Sequence, residues 1–233
     1  MQIASPHLTL GSTVHDTIRW FLEMNGQVTQ DQLIAKFRNL WLKYRGKRGG
    51  FVSADEEASF GKRGILMLAN FFKNAKNLEK QVPQIKFPKY NLTPKVILIG
   101  NFDYVGEAGE NLHLIDFKTG ANDEKDPMQL YIYAILAESN LQKPVSKISF
   151  WYLDRADNPS EVVLDDLEEK LEWLTGKAKE LEGAIEKKEW VCVKDGQCRD
   201  CQDYQAIIDG KGEFMFSDEF FKKDVYFLSR TSL

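Results

Sequence analysis

Residues 114–120 read LIDFKTG, and the reading of this stretch decides the fold. Leu114, Ile115 and Phe117 mark a buried strand, yet Asp116 and Lys118 sit inside it. Charged side chains rarely enter such a run unless they are paired, bound to metal or reactive. Side chains alternate along a strand, so these two project from one face, roughly 7 Å apart. An isolated Asp-x-Lys is ordinarily a salt bridge on a half-exposed sheet, so the surroundings must show whether it is more.

Upstream, VILIGNFDYV (96–105) is a second strand-like run, and the glycines and Asn111 of YVGEAGENL (104–112) suit a hairpin loop. A hairpin would bring Asp103 beside the strand carrying Asp116. Two carboxylates converging at one sheet end repel unless a divalent cation sits between them. A neighbouring lysine can then orient a water or stabilise charge on a phosphate oxygen. QVPQIKF (81–87) reads as an earlier strand and KISFWYL (147–153) as a later one. Between them Pro127 suits the first turn of a helix over MQLYIYAILAES.

The first third is helical by period. Ser12 or Thr13 is expected to cap a helix with Val14, Ile18, Phe21 and Leu22 on its apolar face. Thr29 with Gln32, and Ser53 with Glu56, form capping boxes before two further apolar stripes. A long amphipathic helix carries Leu164, Leu167, Leu171, Leu174, Ala178, Leu181 and Ile185, a stripe expected to serve core packing. The order is helices, three strands, helix, strand, helix. That is an α/β unit with a small mixed sheet.

Composition narrows the function classes. The 233 residues, 43% hydrophobic with 15 Phe and 5 Trp, support one substantial core. A formal charge of −4 excludes a globally basic polyanion binder, so any nucleic-acid contact has to come from a local patch. Lys43, Arg45, Lys47 and Arg48, with Lys62 and Arg63 nearby in sequence, are such a patch or else a solvated loop. No apolar run reaches the roughly 18 residues of a membrane span, and MQIASPHLTLGSTVH lacks the regions of a secretory signal. The expected location is cytoplasmic.

GNFDYV, then LIDFKTG, then QLYIY resemble the RecB-like branch of the PD-(D/E)XK nuclease superfamily. That branch carries G-x-x-D, D-x-K-T-G and Q-x-x-x-Y, matched here by Gly100 to Asp103, Asp116 to Gly120, and Gln129 to Tyr133. An upstream G-x-x-x-H is matched by Gly11 and His15. The resemblance implies a restriction-endonuclease-like core, with a small mixed central sheet flanked by helices and an N-terminal helical region. One nuclease domain over residues 1–233 is expected: a helical part (1–80), a catalytic core (81–153), and a C-terminal helix with a cysteine-containing segment (154–233).

Carried over residue by residue, the resemblance makes His15, Asp103 and Asp116 metal ligands, with the backbone carbonyl of Phe117 as a further one. Lys118 becomes the catalytic lysine, and Gln129 and Tyr133 hold the DNA strand or the lysine in place. Two carboxylates suit Mg²⁺, and an added imidazole tilts the site toward Mn²⁺. The implied activity is metal-dependent DNA hydrolysis, as an exonuclease on ends or single strands. DNA repair or recombination beside a helicase subunit or domain is the implied setting. RNA remains an open substrate, and the alternative is a non-catalytic DNA-binding or assembly module that keeps the fold. His113 faces away from Asp116 by alternation and is not assigned to the site; Glu79 is a weak candidate for its periphery.

The three cysteines all fall in CVKDGQCRDC (192–201). This resembles the end of iron–sulfur members of the branch, AddB-type nucleases and CRISPR-adaptation exonucleases, which close on C-x-x-C-x₅-C. Cys198 and Cys201 match the pair, but Ile207 stands where the last cysteine would be, and Cys192 is misplaced. An iron–sulfur cluster is therefore not expected in this chain. Zn²⁺ at Cys192, Cys198 and Cys201 with a fourth ligand is the less favoured alternative to a thiol-bearing turn. Phe214, Phe216, Phe220 and Phe221 are expected to pin the C-terminal segment to the core.

Overall fold

Capping chemistry and strand alternation set the element boundaries of the computed structural model, which describes residues 1–83, 85–192 and 194–229. In chain order the elements begin with β1 (Gln2–Ile3), α1 (Pro6–Glu23), α2 (Gln30–Trp41) and α3 (Ala54–Asn74). Then come β2 (Lys89–Asn91), β3 (Ile97–Ile99), β4 (Tyr104–Ala108), β5 (Asn111–Lys118), α4 (Met128–Leu141) and β6 (Val145–Tyr152). The last are β7 (Ser160–Val162), α5 (Leu167–Lys187), α6 (Arg199–Ile208), β8 (Glu213–Asp218) and β9 (Lys223–Phe227). They divide into two units, one of Met1–Phe72 with Val191–Leu233, the other of Lys73–Trp190. No described helix is long and apolar enough to cross a membrane.

In the first unit α1 begins at Pro6, with Ser5 as N-cap. Ser12 and Thr13 lie within the helix, so the start expected there is two turns late. Proline at the first helical position has its φ already set and lacks only an N–H that no helix partner needs. The Thr29 box forms as read: Gln32 N–H donates to Thr29 Oγ1 (3.3 Å), and Thr29 N–H donates to Gln32 Oε1 (2.8 Å). Ser53 Oγ accepts from Glu56 N–H at 3.1 Å, while Glu56 reaches one residue further back, to Val52 N–H. Leu10, Val14 and Ile18 of α1 are buried, as are Leu33 and Phe37 of α2 and Met67, Leu68 and Phe71 of α3. Removing such side chains from water stabilises by about 1.5–3 kcal/mol each.

The basic stretch folds as two 3₁₀ turns, and its cations are largely engaged inside the unit. Arg45 pairs with Glu57 (3.4 Å), Lys47 with Glu213 (2.6 Å), and the Arg48 guanidinium lies 4.4 Å over the Phe216 ring. β9 pairs parallel with β1 and antiparallel with β8. Val225 and Phe227 share its buried side, whereas Phe214, Phe220 and Phe221 are more than half exposed. The expectation that these phenylalanines pin the segment is corrected: alternation on β9 hands that role to Val225 and Phe227.

The second unit is built on a mixed sheet in the order β4-β5-β6-β7. β4 and β5 are antiparallel, β5 and β6 parallel, β6 and β7 antiparallel. Leu112 and Leu114 of β5, with Ile148 and Phe150 of β6, pack in one core with Leu130, Tyr131, Ala134, Leu136 and Ala137 of α4. Asp116 and Lys118 extend that same face to the strand end.

Two strand expectations change. Among the described residues of 81–87, the pairing is a bridge from Gln81 to Gly106 with the Val82 N–H donating to the Val105 carbonyl (2.9 Å). Pro83 has no N–H to offer a ladder, Phe87 turns left-handed at φ 54°, and Gln84 lies outside the described residues. The run 96–105 splits into β3, paired antiparallel with β2, and β4. At the break Gly100 approaches α4 so closely that a Cβ there would lie 2.5 Å from Leu136 Cδ1. The α5 stripe also serves packing only in part: Leu174 and Ala178 are buried, while Leu181 and Ile185 are 44% and 53% exposed.

Candidate active site

The β4–β5 ladder closes at the Tyr104–Ile115 pair, so the Phe117 N–H lies beyond it. Asp103, one residue before β4, supplies the missing acceptor: Phe117 N–H donates to Asp103 Oδ2 at 2.9 Å. The hairpin thus brings one carboxylate to the backbone directly after Asp116. Asp116 itself is only 3% exposed, on the face packed by α4. Its counter-charge is Lys118, whose Nζ stands 2.9 Å from Asp116 Oδ2.

Lys118 is held from three further directions. Its ammonium donates to Gln129 Oε1 (2.9 Å), lies 3.8 Å from Glu124 Oε2, and sits 4.7 Å from the centre of the Phe150 ring. Gln129 and Tyr133 are one helical turn apart on α4, and Gln129 Nε2 donates to the Tyr133 hydroxyl at 2.9 Å. Burial, then the charges of Asp103 and Asp116, push the Tyr133 hydroxyl up to about 12 against a lowering by Gln129. Tyr133 is therefore neutral at any ordinary pH. Phe102 packs edge-on against its ring at 5.7 Å.

Asp103, Asp116, the Phe117 backbone, Lys118, Gln129 and Tyr133 thus meet at the end of β5 and the start of α4. Glu124 and Phe150 belong to the same cluster and were missed from the sequence. Phe150 is brought there by the parallel register that sets it opposite Asp116. His15 lies on α1 in the other unit, partly buried, four residues after Gly11.

The opposite face of β5 carries a separate polar group. His113 Nδ1 lies 2.8 Å from Glu79 Oε1, and His113 Nε2 lies 2.8 Å from Ser149 Oγ. Burial raises the Glu79 carboxyl, but the hydrogen bond from His113 with the His113 and Lys147 charges outweighs it, and the net shift is downward. Glu79 is thereby a partner of His113 and sits on the face away from Asp116.

The sequence matches the family model of the PD-(D/E)XK nuclease superfamily over residues 2–207. The chain belongs to the PD-(D/E)XK nuclease superfamily. Its mixed α/β architecture is consistent with the restriction-endonuclease-like fold of that superfamily, whose members generally use Mg²⁺ or Mn²⁺. No curated protein matches the sequence.

The residues present fit such a cation. Asp103 and Asp116 bring two carboxylates to the same end of β5, and hard oxygen donors are what Mg²⁺ and Mn²⁺ take. Mg²⁺ is commonly held by one or two carboxylates, with waters and substrate phosphate completing its shell. Among the described residues no group of three or more His, Cys, Asp or Glu side chains is gathered to hold a metal. That statement covers the three cysteines. Cys192 Sγ accepts the Gly196 N–H at 3.0 Å, which with Lys194 N–H lowers its pKa, and Cys198 Sγ accepts the Cys201 N–H. The hydrogen bond with Cys198 is the first cause raising Cys201 to about 11.

Proposed function

We propose that this nuclease-superfamily chain is a metal-dependent deoxyribonuclease, an exonuclease acting on DNA ends or single strands. The observation that carries this reading is the Lys118 ammonium, fixed at 2.9 Å from both the buried Asp116 carboxylate and Gln129 Oε1. Asp103 and Asp116 are the proposed ligands, with the Phe117 carbonyl beside them, and His15 joins them on the strength of the resemblance. When bound, the cation supplies Lewis-acid stabilisation of the phosphate and a more acidic water.

The chain's own groups do the rest. The Lys118 ammonium places a positive charge and N–H donors where charge accumulates on the phosphate oxygens. Gln129 Oε1 accepts a hydrogen bond from the Lys118 ammonium and so fixes its direction, while the Tyr133 hydroxyl, accepting from Gln129 Nε2, fixes Gln129. No covalent intermediate with the protein is required, because water can attack in line. A setting in DNA repair or recombination beside a helicase is the context the resemblance supports.

The test is incubation with end-labelled single- and double-stranded DNA in Mg²⁺, Mn²⁺ or EDTA, with circular single strands alongside. Linear DNA should be degraded to short products with either cation, circles should resist, and Asp116→Ala should remain folded and inactive. Full activity in EDTA, or in Asp116→Ala, would refute metal-dependent hydrolysis, and degraded circles would refute exonuclease action. His15→Ala should weaken Mn²⁺ binding in calorimetry if His15 is a ligand.

A further inference from the structure

A cavity of about 500 Å³ opens in the second unit beside Lys118, lined by Asp123, Glu124, Phe150, Tyr152, Arg155 and Ser160, among others. That volume lies within the range of small-ligand sites. Two of its walls are shared with the lysine. Phe150 lies under the ammonium, and Glu124 Oε2 is 3.8 Å from it. The cavity therefore begins within one nucleotide of the phosphate that Lys118 would hold.

Its most unusual wall is Arg155. The guanidinium lies over Tyr152, with Cζ 4.2 Å from the ring centre. Its N–H groups donate to Asp123 (2.7 Å), Asp154 (2.7 Å) and the Gly120 carbonyl (3.1 Å). Tyr152 is itself fixed, since its hydroxyl accepts the Glu124 N–H at 2.8 Å. With two carboxylates on its edge the guanidinium has little charge left to offer a phosphate. Even so, about a third of the side chain, 34%, stays exposed. A guanidinium plane pinned at its edges is a stacking surface for a nucleobase. The carboxylates of Glu124 and Glu161, on the walls beside Lys125, can accept hydrogen bonds from the amino groups of a base.

We propose that this cavity is a nucleobase subsite, in which an unpaired base next to the scissile phosphate stacks on the Arg155 guanidinium. The inference rests on the nuclease reading and narrows it to a single-stranded or frayed end, because a paired base would first have to be unpaired and unstacked to enter.

The experiment scans a single abasic (tetrahydrofuran) residue through the terminal positions of a labelled single strand. The full-length protein should cleave one such strand about tenfold more slowly than the intact strand, the loss expected for one base stack. Arg155→Lys, which keeps the charge but not the plane, should cleave intact and abasic strands alike. Ser160→Trp, which fills the cavity from β7, should do the same and guards against misfolding of the lysine variant. Equal cleavage of all abasic strands by the unaltered protein would overturn the subsite while leaving the nuclease reading intact. So would abasic sensitivity that persists in both variants. No cleavage of the intact strand in Mg²⁺ or Mn²⁺ would overturn the nuclease reading, and the subsite with it.

Discussion

Replacing Lys118 by Met separates two consequences of the site that ordinary loss-of-activity variants merge. Asp116 is 3% exposed, and the ammonium 2.9 Å away is its counter-charge. Breaking a fully buried ion pair from one side costs about 3–5 kcal/mol, because the remaining charge stays uncompensated. The Lys118 side chain is 18% exposed, so water softens the loss, and roughly 2–3 kcal/mol is expected in EDTA. The same change vacates Asp116 Oδ2, which the ammonium occupies, and removes a like charge from beside a bound cation. Divalent metal should therefore stabilise Lys118→Met more than the unaltered protein. A cation at one hundred times its Kd adds about 2.7 kcal/mol, close to what the variant loses. Activity should still be absent, since the group facing the phosphate is gone. The assay is hydrogen exchange of β5 and α4 peptides with urea denaturation, in EDTA and in excess Mg²⁺ or Mn²⁺. Equal stability of the two proteins in EDTA, or equal stabilisation of both by metal, would refute the assignment of Lys118 as the counter-charge of a metal-binding carboxylate pair.

Other outcomes follow from neighbouring geometry. Gly100→Ala puts a methyl 2.5 Å from Leu136 Cδ1, so overpacking should destabilise the second unit by about 1–3 kcal/mol in urea unfolding; an unchanged midpoint would deny the close approach. Glu79 has its carboxyl lowered, so its ionised form contributes stability that is complete above its ordinary 4.5 and is lost as pH falls through the lowered value. Glu79→Gln should flatten that acid limb of a denaturation midpoint against pH, and parallel curves would contradict the His113 pairing. Elemental analysis of anaerobically purified protein should find no stoichiometric iron, and a brown protein would reveal a fourth cluster ligand.

The sequence carried the parts of the site whose neighbours are close along the chain. Asp116 and Lys118 share a face by alternation, and Gln129 and Tyr133 share one by helical period. Asp103 reaches β5 through a hairpin whose loop residues are plain to read. Glu124 and Phe150 were out of reach because their nearness to Lys118 depends on the parallel register of β5 and β6 and on the path of residues 119–127, neither of which leaves a periodic mark. Helix ends failed for a different reason. The start of α1 at Pro6 had its signal in Ser5-Pro6, but a polar Ser12-Thr13 pair nearer the apolar stripe competed with it. The α5 stripe has one period from end to end, so nothing in its spacing says that Leu181 and Ile185 are left exposed.

The position of the acidic pair follows from how the sheet ends. A strand whose partner stops early leaves an N–H with no ladder acceptor, and Phe117 is that residue on β5. Filling the gap with a side chain from the partner strand's own approach requires a short acceptor one residue before pairing begins, which is Asp103. Asp116 precedes Phe117 on the alternate face, where the parallel neighbour offers Phe150 rather than a hydrogen-bonding group. Lys118, two residues on and on that same face, brings its ammonium to the Asp116 carboxylate. The lysine, held at its far side by α4 through Gln129, turns the end of the strand into a charged edge bounded by the core on one side and the Arg155 cavity on the other. The β4–β5 register carried one step past Tyr104 would set Asp103 opposite Asp116, so the hairpin that leaves Phe117 to Asp103 is also what brings the two aspartates to one strand end.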